Sequence, residues 1–173
     1  AMTHQLNAKA DVVLTLPSPA ALLISLGEDS TNIDFDMLDD TAVMLADLLR
    51  GFAELSISGL VLSFTSNEVD LGDESEACEV LQGVAGHYDW IFALGLESSE
   101  LAEDLDDLSA DICLIPGLDA ITLDNQESPT GGGLNSDFWN GTDLPSSARA
   151  CLYGDVPVDL DPKMIVERVA SLS

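Results

Sequence analysis

Hydrophobic residues fall along this chain in two kinds of run. Asp11–Leu16 (DVVLTL), Leu60–Phe64 (LVLSF), Trp90–Leu94 (WIFAL) and Asp111–Ile115 (DICLI) are short, bounded by turn residues and too apolar to have a wet face. Runs of that kind read as parallel strands buried under helices. Between them the spacing changes. From Asp34 to Leu55 the apolar residues are Leu38, Ala42, Leu45, Leu49 and Phe52, in steps of three and four that make one helical stripe. Asp34 and Asp36 at its start and Arg50 near its end suit the helix dipole. Asp73-Glu74-Ser75-Glu76 has the pattern of a capping box, and Ala77, Val80, Leu81, Val84 and Tyr88 continue it as a helix. Gly83 and Gly86 weaken that helix and predict its end near Gly86. A third helix is predicted from about Ser99 to Leu108 on Leu101, Leu105 and Leu108.

The remaining segments are less regular. Pro17-Ser18-Pro19 stops the first strand, and Ala20–Leu26 reads as a short helix or a second strand, with Pro19 suited to a first helical turn. Ile121-Thr122-Leu123 reads as a brief strand. The stretch at about 124–147 is rich in Gly, Pro, Ser, Asn and Asp, which predicts a long loop anchored by Phe138 and Trp139, with Gly131-Gly132-Gly133 as its flexible part. Ala148–Tyr153 reads as a last strand, and Asp161-Pro162 as the start of a terminal helix with Ile165, Val169 and Leu172 on one face. The alternation predicts a single α/β domain over residues 3–173, Ala1-Met2 reading as an expression remnant. Its core is a mostly parallel β-sheet of about five strands with flanking helices, either a partial (βα) barrel or a doubly wound sheet. Both forms put functional groups at the carboxyl ends of strands.

Charge changes the picture of possible partners. The chain has 32 acidic and 5 basic residues, a formal net charge of −27, and no Lys or Arg from Gly51 to Ala148. Nucleic acid is excluded as a partner, because its binding rests on neutralising phosphates with cations, and anionic membrane surfaces are disfavoured for the same reason. Two readings of the acidity stay open: a solvated surface adapted to high salt or selected for solubility, or a docking face for a basic partner or for cations. Cys78, Cys113 and Cys151 form no metal-ligand spacing and read as small thiols in a reducing compartment. No apolar run approaches the roughly 18 residues needed to span a bilayer, and no signal peptide is visible, so a cytoplasmic protein is expected.

Much familiar chemistry is missing. No GxxxxGK[ST], GxGxxG after a strand, GxSxG, HExxH or EF-hand loop occurs. With His4 in the polar N-terminal segment, His87 is the one usable histidine, which argues against a Ser/Cys-His nucleophile and for a turn residue. Acids at strand ends are the candidates that remain. Glu97, Asp119 and Asp155 each follow a predicted strand and could contact polar ligand groups or act as bases. Trp139 could stack on a ligand, or pack under the loop. No metal site is expected.

In VVLTLPSPAALL, in SGLVLSF after its long helix, and in YGDVPVDLDPKMIVERVASL, the chain resembles the C-terminal half of the uroporphyrinogen decarboxylase superfamily. That superfamily includes corrinoid-dependent methyltransferases and has a (βα)8 barrel. The family's substrate-binding arginines belong to a half for which there is no room here. Ala93-Leu94-Gly95 stands where zinc-binding members place a His-x-Cys, so no catalytic residue carries over. The resemblance implies a non-catalytic binding or accessory protein on a partial barrel. It would hold a small organic ligand or a partner subunit at the strand-end loops, with self-association as one route. Tyr88-Asp89-Trp90-Ile91 and Ala110-Asp111 through Pro116 are also similar to the ParA/MinD group of nucleotide-binding proteins. That resemblance implies a scaffold or regulatory module without its phosphate loop. An enzyme using the strand-end carboxylates is the third reading.

Overall fold

The computed structural model describes residues 11–65, 69–98, 101, 105, 108–126, 129–144 and 151–172. Strand β1 (Val13–Pro17) passes into helix α1 (Pro19–Ser25), so the ambiguous segment after Pro19 is helical. Pro19 lies in the first turn, where its missing N–H is not needed, and the Ser18 hydroxyl accepts from the Ala21 amide at 3.3 Å. Helix α2 (Phe35–Arg50) follows, capped by Asp34, whose carboxylate accepts from the Met37 amide at 3.0 Å. Its predicted stripe is the buried one: Leu38, Ala42, Leu45 and Leu49 are inside, with Phe52 half-buried beyond the helix end.

Strand β2 (Gly59–Phe64) leads to helix α3 (Leu71–His87), then strands β3 (Ile91–Leu96) and β4 (Ile112–Leu114). Helix α3 starts earlier than the capping-box pattern predicts. Its cap is Asp70, which accepts from the amides of Gly72 at 2.9 Å and Asp73 at 3.2 Å. Asp89, in the left-handed region at φ 55°, turns the chain into β3. The Asp111 carboxylate accepts from the Phe92 amide at 2.8 Å and ties β4 to β3. The predicted helix over Ser99–Leu108 lies mostly outside the described residues, although Leu101, Leu105 and Leu108 are buried in the core.

Two expectations fail beyond β4. Ile121-Thr122-Leu123 is not a strand but part of helix α4 (Ala120–Asp124). Asp119 caps it, and local carboxylate-to-amide bonding of that kind favours a helical start over an extended segment. The stretch read as a long loop contains strand β5 (Thr130–Gly133) and the helical turn α5 (Ser136–Trp139). Strand β6 (Cys151–Tyr153) and helix α6 (Pro162–Ala170) complete the chain; residues 148–150, expected to open β6, lie outside the described residues.

The sheet has six strands in chain order, β1 to β6, each pair parallel, and it is not closed into a barrel. The strand beyond the expected five is β5. Alternate residues of β2 and β3 separate into two faces. Leu60, Leu62, Phe64, Phe92, Leu94 and Leu96 join the helices in the main core, with Leu38, Leu45, Leu49, Leu81 and Val84. Val61 and Ala93 point the other way, into a smaller cluster with Leu114, Ile112 and Tyr153.

Candidate functional site

Three glycines shape the carboxyl end of the sheet. A Cβ on Gly131 would lie 2.7 Å from the Leu114 side chain, and one on Gly132 would lie 3.0 Å from Cβ of Leu118. Beyond Thr130, strand β5 therefore carries no side chains, because its neighbours pack directly on its backbone. Gly133 ends it at φ +88°, a conformation in which a side chain would be strained, and turns the chain towards Asn135. Asn135 caps α5, accepting from the amides of Asp137 at 3.1 Å and Phe138 at 3.3 Å. That cap sends Phe138 and Trp139 inward, both buried and in edge-to-face contact at 5.0 Å.

Arg168 of α6 fixes this segment from the other side. Its guanidinium lies 4.2 Å from the centre of the Phe138 ring, donates to the Thr142 carbonyl and approaches the Asp143 carboxylate at 3.5 Å. The predicted face of α6 contributes less: Ile165 is half-buried, but Val169 is 49% and Leu172 36% exposed. The helix is held by its arginine more than by its stripe.

Between α4, the end of β5 and α5 lies an open cleft of about 380 Å³. Ala120, Ile121, Phe138 and Leu144 give it apolar walls, and Asn135 and Thr142 add polar groups. Asp119, Asp137 and Asp143 stand on its lining as well. Asp119 is fully engaged: its carboxylate accepts from the Ile121 and Thr122 amides at 3.0 and 2.9 Å and from the Thr122 hydroxyl at 2.6 Å. Those bonds, the Thr122 hydroxyl first, hold its carboxyl below the usual range. It is a fixed negative charge and a weak base.

The four residues singled out by the sequence do not converge. Asp119 lines the cleft; Glu97, exposed just after β3, and Asp155, exposed just after β6, do not. Asp155 acts instead on Tyr153, whose hydroxyl is pushed up by burial first and by that neighbouring charge second. Trp139 is buried, and its indole Nε1 donates to the Leu134 carbonyl at 3.0 Å, so it packs beneath the loop and is absent from the cleft lining. His87 is exposed at the end of α3, its ring edge against Tyr88 at 4.8 Å. Among the described residues no group of three or more His, Cys, Asp or Glu could hold a metal ion, and no helix is long and apolar enough to cross a membrane.

A second polar cluster sits at the carboxyl ends of β1 and β2, and the sequence reading passed over it. Glu74, in the first turns of α3, is completely buried. One carboxyl oxygen accepts from the Ala20 amide at 2.9 Å and the other has no hydrogen-bond partner. Cys78, one turn further along, is also completely buried, whereas Cys113 is half-buried and Cys151 exposed. A signal was present: Glu74 falls in register with Ala77, Cys78, Leu81 and Val84, a carboxylate on the apolar stripe.

Comparison with protein-family models, with curated proteins and with solved structures gives no match for this chain. Fold and site geometry are therefore the ground on which function is argued.

Proposed function

We propose that this protein is a non-catalytic binding or accessory protein that holds a small organic ligand at the loops following β4 and β5. The observation that carries the reading is the cleft. Its volume of about 380 Å³ falls within the roughly 300–1,000 Å³ of small-molecule sites. Apolar walls with a few polar groups are the usual lining of such sites, and the carboxyl end of a parallel sheet is their usual place. Strands running in chain order without a reversal support the barrel-like form implied by the resemblance to the uroporphyrinogen decarboxylase superfamily. The engaged carboxylate of Asp119 and the separation of Glu97 and Asp155 from the cleft weigh against carboxylate catalysis.

A partner subunit is the second reading, and a separate feature favours it. Val156, Val158, Val166 and Val169, near and on α6, are 48–97% exposed. Four exposed valines within one short stretch of the chain favour a surface that a partner covers.

Thermal-shift screening at high KCl with porphyrins, corrinoids, nucleotides and divalent metals tests the first reading. Ile121 lines the cleft and is 71% exposed, so Ile121→Arg obstructs the site without touching the core. An organic ligand at about a hundred times its Kd should raise the wild-type Tm by about 5–10 °C and leave the variant unmoved. Silence across the panel, or equal shifts in both proteins, would remove the cleft as the binding site. Sizing chromatography at high KCl then reads the partner alternative through self-association.

A further inference from the structure

We propose that Glu74 is a protonation latch: its neutral carboxyl holds the corner between β1 and α1 against α3, and loss of the proton releases that corner. The corner is built from few bonds. The Ser18 amide donates to the Ser63 carbonyl at 2.9 Å, tying the end of β1 to β2. The Ala20 amide, one of the donors at the start of α1 that no helical carbonyl can satisfy, reaches across 54 residues to Oε1 of Glu74. Ser18, Ala20 and Glu74 all have no exposed surface.

The surroundings decide which state of the carboxyl fits. Helix α1, β1 and β2 carry no ionisable side chain. The charged residues of α2, Asp36, Asp39, Asp40, Asp47 and Arg50, are all exposed, as are Asp70, Asp73 and Glu76 beside Glu74 on the α3 side. Cys78 is the titratable group that shares the buried site, and its thiol is pushed up by burial first, with Glu74 adding to that only when its carboxyl is ionised. Among the described residues, then, no cation on these elements faces Glu74. A carboxylate there would keep one oxygen, Oε2, without any donor. A proton on Oε2 removes the buried charge and leaves Oε1 free to accept from Ala20.

Burial pushes the Glu74 carboxyl above its ordinary value; the Ser18 hydroxyl, close by but outside hydrogen-bond geometry with Oε2, and the Ala20 amide oppose this in part. The direction of the pH effect follows. A group whose folded value is raised supports the folded corner fully below its ordinary value and loses that contribution as pH rises towards the raised one. The charged form is favoured in the open corner, where water reaches it.

Hydrogen exchange of the Ala20–Ser25 amides, compared between the full-length wild type and Glu74→Gln at each pH, tests the latch. The carboxamide oxygen can still accept from Ala20, and glutamine cannot ionise. The wild-type to variant exchange ratio should rise about tenfold per pH unit from the ordinary glutamate value up to the raised one, then level off. A ratio constant from pH 4 to 8 would overturn the proposal. Should Glu74→Gln fail to fold, the wild type still decides through the ¹³Cδ signals of its glutamates. One signal titrating well above the others, in step with faster exchange in α1, supports the latch; all of them titrating together overturns it.

Discussion

Glycine at position 154 and glycine at position 83 ask opposite things of an alanine. A Cβ at Gly154 would meet the Leu134 carbonyl oxygen at 2.2 Å, and backbone cannot move aside as a side chain can. Gly154→Ala should therefore cost about 1–3 kcal/mol by forcing β6 away from the segment after β5. At Gly83 nothing lies within 4 Å, and the residue is exposed in the interior of α3. Gly83→Ala should add about 0.8–1 kcal/mol through helix propensity. Urea unfolding with an unchanged m-value measures both. The two glycines look alike in sequence; only what surrounds them in space separates them. Gly131-Gly132-Gly133 carries the same lesson. A strand is recognised in sequence by its side chains, and this one has a single one, on Thr130, so a buried strand reads as a flexible loop.

At the scale of elements, caps and clamps give sharper tests than hydrophobic stripes. Asp70 rather than Asp73 accepts from the free amides at the start of α3. Asp70→Ala should cost about 1 kcal/mol, and Asp73→Ala close to none; similar costs at the two positions would mean that α3 starts where the capping-box pattern puts it. Helix α6 depends on Arg168, whose side chain is 15% exposed between the Phe138 ring and the Thr142 carbonyl. Arg168→Ala should lose about 2 kcal/mol, and Arg168→Lys should restore less than half of it, because an ammonium cannot stack on the ring and fork to the carbonyl together. Near-UV circular dichroism of Trp139, which touches Phe138, reports whether the loss is local. The sequence marked α6 correctly from Asp161-Pro162 but not its anchor. A stripe of Ile165, Val169 and Leu172 predicts burial only if something lies opposite it.

Over the whole molecule the dominant force beyond the core is self-repulsion. With 32 acids and 5 basic residues, most carboxylates have no cation to pair with, and a pair such as Arg50–Asp47 is exposed and contributes little. Screening shortens from about 10 Å at 0.1 M salt to about 3 Å at 1 M. The Tm should accordingly rise as KCl is increased from 0.1 to 2 M, and a flat response would show that repulsion does not limit stability. The Glu74→Gln comparison is insulated from this effect, because at any one pH and salt both proteins carry nearly the same surface charge.

The chain alone determined most of the parallel core. The cores of β1 to β4, and the extents of α2 and much of α3, follow from runs and periods within a few residues, where local burial and local conformation agree. The tertiary structure decided what depends on distant partners. It decided that three glycines form a strand, because Leu114 and Leu118 press on their backbone. It gathered Asp119 and Phe138 at one cleft while leaving Glu97 and Asp155 apart from it. It also chose, among the described acids, Glu74 as the one to bury. The apolar stripe around Glu74 marks it as buried, but its partner, an amide 54 residues away, is supplied by the fold alone.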